Sequence, residues 1–213
     1  MPEPGPEYAR ARAALLEAEL ALRDQAENVA QMRRDLPPGP AVDDYVFEEV
    51  AGGTVREVRL RDLFAAGQDT LIVIHLMYGK AQTSPCPMCA MWVDTYDRAQ
   101  PHVAERAGMV LSAAAPAADL AALAEARGWT NLRMLSASKT GFNADFEVED
   151  EEGSQSPGIS VFARGADGVI RHFYTGYANP KPGEYRGLDL LSPVWNLLDL
   201  TPAGRGDWMP GGM

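Results

Sequence analysis

The sequence predicts an α/β protein with a mixed sheet flanked by helices and an N-terminal helical extension. Residues 71–77 and 109–115 are apolar runs, each with one polar residue, His75 and Ser112, and are of the kind found in strands buried on both faces. A segment with helical character follows each of them. Residues 159–163 and 169–174 are two further strands, joined by a turn at Gly165-Ala166-Asp167-Gly168. Strands that alternate with helices and then end in a hairpin require parallel and antiparallel pairing in one sheet.

The N-terminal extension is predicted as one long helix over residues 7–34. Tyr8, Leu15, Leu22 and Val29 recur every seven positions and form a narrow apolar stripe. This stripe has two interpretations: it packs on its own domain, or it pairs with a second copy of the chain in a homodimer. Prolines at residues 37, 38 and 40 stop the helix. We therefore divide the chain into an extension with its linker, residues 1–40, and a domain over residues 41–213.

The remaining elements of the domain follow from turn residues and hydrophobic pattern. Two short strands flank the Gly52-Gly53 turn, and Pro101 is expected to break or kink the helix that begins at Cys86. Gly128 closes the helix that Pro116 opens. The other predictions are a short helix at 60–66, a short strand at 132–135, a solvated acidic loop at 147–152 and a last helix at 188–198.

Charge and hydropathy limit the partners. The net charge is -11 and the pI is about 4.7, so the basic face that nucleic acid or an anionic membrane requires is not expected. No apolar stretch approaches the roughly 20 residues of a membrane span. The first residues lack the positive and apolar regions of a signal peptide. We therefore expect a cytoplasmic protein that binds neither nucleic acid nor a membrane.

Cys86 and Cys89 are the only cysteines, and they lie between a buried strand and a helix. In a reducing compartment such a pair is more often catalytic, redox-sensing or metal-binding than structural. Cys86 falls at a helix N-terminus, where unpaired N–H groups and the helix dipole favour a thiolate. Cys89 follows one turn later, within disulfide reach. This arrangement predicts thiol–disulfide exchange without a cofactor, with Cys86 attacking and Cys89 resolving.

Other interpretations of these residues remain. A zinc site with four cysteines is excluded, and a site with two histidines would need two of His75, His102 and His172, whose spacing matches no usual pattern. A redox-sensing or metal-binding module without enzymatic turnover is the non-catalytic alternative. We interpret His75 as a core histidine rather than a proton shuttle. Trp92 is either a core residue or a wall of the substrate site.

Ser156-Pro157 immediately precedes a predicted strand. The order of strand, Cys-x-x-Cys helix, strand, helix, proline-led hairpin and final helix resembles the thioredoxin-like fold over about residues 42–200. In that fold a cis-proline faces the active cysteines, and the residue before it offers backbone hydrogen bonds to substrate. The resemblance assigns these substrate-binding roles to Pro157 and Ser156, and it implies a cis bond between them.

A closer resemblance covers nearly the whole chain. It rests on short motifs at residues 33–37, 45–47, 62–64, 75–79, 142–146, 186–189 and 198–205. In these motifs the sequence is similar to the bacterial family DUF899, which is described as thioredoxin-like and related to peroxiredoxins and thiol reductases. The resemblance implies a thiol or disulfide substrate, either a protein or a small molecule, and a cellular thiol reductant.

The peroxiredoxin pattern Pro-x-x-x-Thr-x-x-Cys is met in part. Thr83 stands three residues before Cys86, where its hydroxyl would orient a peroxide, but Gly79 occupies the proline position. The Cys-Pro-x-Cys form resembles glutaredoxins, and Pro85 replaces the tryptophan that precedes the first cysteine of thioredoxins. We therefore expect a dithiol–disulfide oxidoreductase, with a thiol peroxidase as the alternative. The predicted site comprises Cys86 and Cys89, with substrate contacts from Thr83, Trp92, Ser156 and Pro157.

Overall fold

A computed structural model describes residues 5–79, 82–178 and 191–202. The chain divides into two units, Met1–Gly39 and Pro40–Met213. The first contains helix α1 (Pro6–Arg34), which confirms the predicted helical extension. A proline at the start and Arg33 and Arg34 in the last turn suit the two ends of a helix. None of its residues is buried, and Tyr8 and Leu22 of the stripe are 65% and 63% exposed.

The second unit is built on one mixed sheet in the order β2-β1-β5-β4-β3-β6-β7. Strand β3 pairs in parallel with β4, and β4 pairs in parallel with β5, whereas the remaining pairs are antiparallel. This confirms the predicted α/β class. The elements are β1 (Val46–Ala51), β2 (Thr54–Arg59), β3 (Thr70–His75), α2 (Pro87–Val103), β4 (Gly108–Ala113), α3 (Ala117–Arg127), β5 (Arg133–Ser136), α4 (Phe142–Asp145), β6 (Gly158–Arg164), β7 (Ile170–Tyr177) and α5 (Pro193–Leu198).

Residues 71–74 of strand β3 are all apolar because the sheet has a hydrophobic cluster on each face. Successive side chains of a strand point to opposite faces. Leu71 and Val73 enter a cluster, here called the phenylalanine cluster, built around Phe47, Phe142, Phe146 and Phe162. Ile74 and Leu76 enter a second, the cysteine-side cluster, built around Cys89, Trp92, Tyr96 and Leu111. Helix α2, which carries the cysteines, therefore lies on one face of the sheet.

Several local expectations are corrected. Helix α2 continues through Pro101 to Val103, because a proline one turn from the end removes only a single N–H donor and the Ala104 N–H still bonds to Gln100. The predicted helix at 60–66 is a single 3₁₀ turn, Leu60–Asp62. Helix α4 was not predicted. Residues 188–190 of the predicted last helix lie outside the described residues.

A buried carboxylate joins α2 to the segment that enters β5. Oδ1 of Asp97 accepts hydrogen bonds from the backbone N–H groups of Asn131, at 2.9 Å, and Leu132, at 3.0 Å, and Oδ2 accepts from Nδ2 of Asn131 at 3.0 Å. Burial alone would raise the pKa of Asp97, but these hydrogen bonds outweigh it and lower the pKa. The interaction holds helix α2 against the parallel part of the sheet.

Replacing Asp97 by alanine is expected to lower the free energy of unfolding by about 2–4 kcal/mol, because three donors lose a charged acceptor. Urea denaturation at neutral pH measures this loss. The matched control is Asp24→Ala on the exposed surface of α1, which should change stability by no more than about 0.5 kcal/mol. Equal effects of the two substitutions would contradict the role given to Asp97.

Candidate redox site

The site begins where β3 ends. The Tyr78 N–H donates to the Leu76 carbonyl at 2.8 Å, which forms a γ-turn centred on Met77. The Leu76 N–H continues the sheet by bonding to the Ser112 carbonyl at 2.9 Å. The peptide groups of Met77 are therefore held by a central strand, and they point away from the ladder toward the helix that carries the cysteines.

Cys86 is the N-cap residue of α2. Its backbone lies outside the helical region, with φ -58° and ψ 126°, while its carbonyl accepts the first helical hydrogen bond from Ala90 at 3.0 Å. Pro87 occupies the first helical position, where its missing N–H costs no hydrogen bond. The Cys86 N–H donates to the Met77 carbonyl at 3.0 Å. Sequence and fold thus place the Cys86 sulfur at the positive end of a 17-residue helix.

The two thiols are free and differ in environment. Cys86 is half-buried, whereas Cys89 is only 3% exposed. The Cys89 thiol donates a hydrogen bond to the Cys86 sulfur, which lowers the pKa of Cys86 most strongly. Burial opposes this effect, but the backbone N–H groups of Cys89 and Met88 add to it, and the resulting pKa of Cys86 is about 6. A large fraction of Cys86 is therefore thiolate at neutral pH.

The same contact raises the pKa of Cys89. Its proton is shared with the Cys86 thiolate, and burial and the neighbouring negative charge disfavour a second anion. The backbone N–H of Met77 also donates to the Cys89 sulfur and acts in the opposite direction. The peptide groups of Met77 therefore contact both cysteines. The sequence did not indicate this residue, because it acts through its main chain and no side-chain type marks such a role.

The interior wall of the site is apolar. Trp92 is buried in the cysteine-side cluster, so the structure places it in the core below the cysteines rather than on an open surface. Tyr96, two turns after Cys89, donates its hydroxyl hydrogen to the Leu191 carbonyl at 3.1 Å, and Val194 packs on the same cluster. Neither Tyr96 nor the segment from Leu191 was predicted to border the site.

The predicted polar contacts lie at the surface. Thr83 is exposed, and no hydrogen bond among the described residues joins its hydroxyl to Cys86. Before it, the Gly79 N–H donates to the side-chain oxygen of Gln82, and the Gln82 N–H donates to the Gly79 carbonyl at 3.2 Å. A Cβ atom at Gly79 would lie 3.5 Å from Cγ of Gln155. The segment before Pro157 therefore borders the loop that leads to the cysteines.

The prediction of a cis bond at Ser156–Pro157 is wrong, since the described residues contain no cis peptide bond. The Ser156 N–H donates to the Val148 carbonyl at 2.9 Å, and the Pro157 carbonyl accepts from the Ala178 N–H at 3.1 Å. These bonds hold extended chain on both sides of the proline, where trans is the ordinary form. The Ser156 N–H is therefore already bonded and is not a free donor for a substrate.

His75 lies on the opposite face of the sheet from the cysteines. Its ring stacks on Phe142 with centroids 5.6 Å apart, and its Nε2 is 2.7 Å from Oγ of Ser160. Ser160 Oγ is 2.8 Å from Oγ1 of Thr175, which is 2.8 Å from Nε2 of His172. The interpretation of His75 as a core histidine is confirmed. Within the described residues, no three His, Cys, Asp or Glu side chains gather as ligands for a metal ion.

The fold is similar to those of several solved proteins. AhpC of Enterococcus faecalis is 16% identical and has a TM-score of 0.52, covering 81% of this chain and 98% of its own. Peroxidoxin BcpB of Mycobacterium tuberculosis is 16% identical, with a TM-score of 0.51 and coverage of 76% and 98%. The mitochondrial 2-Cys peroxiredoxin of Plasmodium falciparum is 10% identical, with a TM-score of 0.51 and coverage of 77% and 95%. At these identities the similarity shows a shared thioredoxin-like fold.

The chain belongs to the DUF899 family, described as bacterial protein of unknown function, whose model matches residues 4–211. This confirms the resemblance inferred from the motifs. No curated protein matches the chain. Among the helices of the described residues, none combines the length and the apolarity needed to cross a membrane.

The buried His75 ring predicts a loss of stability in mild acid. Burial, together with the nearby His172, lowers the pKa of His75 to about 3, whereas an unfolded histidine titrates near 6.5. The unfolded state therefore binds more protons in this window. The contribution of the neutral His75 ring to the free energy of unfolding is fully present above about pH 6.5 and is lost as the pH falls toward about 3. Between about pH 7 and pH 5 the free energy of unfolding falls by about 2 kcal/mol for this reason.

Urea titrations of the wild type and His75→Gln at the two pH values measure this effect. The variant should be less stable at neutral pH but should show a smaller loss on acidification. His102→Gln, at an exposed position, is the matched control and should retain the wild-type loss. An unchanged loss in His75→Gln would show that other groups cause the acid sensitivity.

Proposed function

We propose that this protein is a dithiol–disulfide oxidoreductase in which Cys86 attacks and Cys89 resolves. The observation that carries the proposal is the asymmetry of the pair. Cys86 is half-buried with a pKa of about 6, while Cys89 is buried and its thiol donates to Cys86. An attacking thiol needs accessibility and a large thiolate fraction at ambient pH, and a resolving thiol needs only to reach its partner.

The exchange transfers two electrons from the pair to a substrate disulfide. The Cys86 thiolate attacks one sulfur, forms a mixed disulfide and releases the other sulfur as a thiolate. Cys89, after losing its proton to solvent or to the departing thiolate, attacks the Cys86 sulfur and releases the second substrate thiol. The product is a Cys86–Cys89 disulfide, which a cellular thiol reductant returns to the dithiol.

Formation of the mixed disulfide prepares Cys89 for the second step. In the free pair the negative charge on Cys86 holds the proton on Cys89. Once Cys86 is bonded to substrate, its sulfur is neutral and this repulsion disappears, while the Met77 N–H remains as a donor to the Cys89 sulfur. The resolving thiol therefore becomes easier to ionise only when a mixed disulfide exists.

The proposed substrate is a thiol or disulfide, protein or small molecule, that approaches the exposed end of α2. Thr83 and Ser156, which are exposed, are proposed to border it on the surface, with the buried Pro157 and Trp92 supporting the site from below. The exchange itself uses no organic cofactor. We further propose that the protein acts in the cytoplasm, and that the apolar stripe of α1 joins two copies in a homodimer.

Trapping of the mixed disulfide tests the function. After reduction and exposure to 2-hydroxyethyl disulfide, Cys89→Ser should retain one mercaptoethanol adduct on Cys86, seen by intact mass and peptide mapping. The wild type should release the adduct and lose two hydrogens, and Cys86→Ser should react far more slowly. An adduct that forms mainly on Cys89 would contradict the assignment.

The pH dependence of alkylation supplies the control. The rate at Cys86 should rise with an inflection near pH 6 in the wild type. In Cys89→Ala the inflection should move upward, because the strongest hydrogen bond to the thiolate is lost. Met88→Leu keeps the backbone N–H and should leave the inflection in place.

A thiol peroxidase is the second candidate, and two observations favour it. The fold is shared with peroxiredoxins, and one solved neighbour of similar fold, from Plasmodium yoelii, is named thioredoxin peroxidase I. Thr83 also has the spacing of the peroxiredoxin threonine. In this reaction the Cys86 thiolate would attack hydrogen peroxide, giving a sulfenic acid and hydroxide. The Cys89 thiol would then displace water and form the same disulfide.

We expect Cys86 to react with hydrogen peroxide only modestly faster than an ordinary exposed thiolate, because Thr83 is exposed and is not bonded to the Cys86 sulfur. Stopped-flow kinetics of the wild type and Thr83→Val test this, with Ser84→Ala as the control. Both variants should react at nearly the wild-type rate. A very fast wild-type reaction that collapses only in Thr83→Val would identify a peroxidase instead.

A further inference from the structure

A cleft away from the cysteines is lined by four arginines. It has a volume of about 580 Å³ and lies along the β1–β2 hairpin and β5. Arg56 and Arg59 are on β2, Arg61 is in the following 3₁₀ turn, and Arg133 begins β5. In a chain with a net charge of -11, this concentration of guanidinium groups in one cavity is an unusual local feature.

A buried carboxylate holds two of these arginines in place. Glu49 Oε1 accepts from Nε of Arg56 at 3.0 Å and from its Nη2 at 2.8 Å. Arg133 donates from Nε to Oε2 at 3.0 Å and from Nη2 to Oε1 at 2.9 Å. The Glu49 side chain is 6% exposed, while those of Arg56 and Arg133 are 62% and 38% exposed. Glu49 thus fixes one edge of each guanidinium group, and both groups remain accessible from the cleft.

The other two arginines share a second carboxylate. Asp44 Oδ2 lies 3.4 Å from Nη1 of Arg59 and 3.2 Å from Nη1 of Arg61. Two further acidic residues, Glu57 and Asp62, line the cleft, and Oδ1 of Asp62 lies 4.0 Å from Nε of Arg61. Four carboxylates thus accompany the four arginines. What the cleft offers to a ligand is the exposed N–H edges of the guanidinium groups rather than a net positive charge.

We propose that this cleft binds the phosphate group of a small phosphorylated molecule. Guanidinium groups offer planar pairs of N–H donors that match phosphate oxygens, and Arg is preferred where such geometry is required. Four guanidinium groups offer more N–H donors than the two oxygens of a carboxylate can use, which favours the oxygens of a phosphate group. Val46 and Val58 supply an apolar surface in the same cleft, and its volume suits a small organic ligand.

None of the residues that line the cleft belongs to the cysteine-side cluster. The proposed phosphate site is therefore independent of the dithiol chemistry. A test of the phosphate site therefore leaves the redox proposal untouched. Cys86 should be alkylated at the wild-type rate in the variants described below. An unchanged rate shows that the variant is folded, so that any loss of phosphate binding comes from the site itself.

Binding of inorganic phosphate to the full chain, followed by NMR shift titration or calorimetry at constant ionic strength, tests the proposal. Phosphate should bind saturably, and acetate at the same concentrations should bind at least several-fold more weakly. Arg59→Gln combined with Arg61→Gln spares the Glu49 interactions and should weaken phosphate binding by about tenfold or more, as loss of charged hydrogen bonds implies.

Arg98→Gln combined with Arg106→Gln removes the same charge from exposed positions elsewhere and is the matched control. Its phosphate affinity should stay within about twofold of the wild type, since distant exposed charges are screened. The proposal is overturned if phosphate does not saturate the wild type in the millimolar range, if acetate binds equally well, or if the control pair loses as much affinity as Arg59→Gln/Arg61→Gln.

Discussion

The site depends on the γ-turn that ends β3 at Met77. Hydrogen bonding to β4 and β6 on either side fixes the strand, and the bond from Tyr78 to Leu76 turns the chain so that both peptide groups of Met77 face α2. One group accepts from the Cys86 N–H, and the other donates to the Cys89 sulfur. These two hydrogen bonds fix the start of α2 relative to a buried strand. The relative position of the two thiols therefore depends on the sheet rather than on the intervening loop.

The opposite pKa shifts of the two thiols have a single geometric origin. One S–H···S contact stabilises the thiolate that accepts it and disfavours ionisation of the thiol that donates it. Burial raises the pKa of both thiols, and because Cys89 is the more buried of the two, it adds to the difference that the hydrogen bond creates. The N-cap position leaves Cys86 partly accessible and gives it two backbone donors, whereas one helical turn carries Cys89 beneath the surface. Placing the first cysteine of a Cys-x-x-Cys pair at a helix start therefore favours the order of attack and resolution.

Hydrophobic pattern and turn residues were sufficient to predict the strands and main helices. The apolar run of residues 71–74 in β3 reflects hydrophobic clusters on both faces of the sheet. Gly52 and Gly53 adopt the positive φ that their turn requires. The position of Cys86 at the start of α2 followed from the same reasoning. The conformation of the Ser156–Pro157 bond could not be predicted in this way, because hydrogen bonds to residues distant in sequence determine it. The roles of Met77 and Glu49 were also beyond sequence reasoning. One acts through its backbone, and the other through arginines that come together only when β2 and β5 flank β1.

Because the fold alone does not distinguish disulfide chemistry from peroxide chemistry, the loop before Cys86 is the informative part of the site. In the peroxiredoxin pattern a proline stands where this chain has Gly79. Here the Gly79 N–H donates to the side chain of Gln82, a bond that proline has no N–H to make. A Cβ atom at this position would also lie 3.1 Å from the Gln82 oxygen, closer than most such contacts. Gly79 and Gln82 therefore form an interaction that the proline of the peroxiredoxin pattern could not form. The Thr83 side chain is exposed and is not hydrogen-bonded to Cys86, which agrees better with the proposed disulfide chemistry than with the peroxidase alternative.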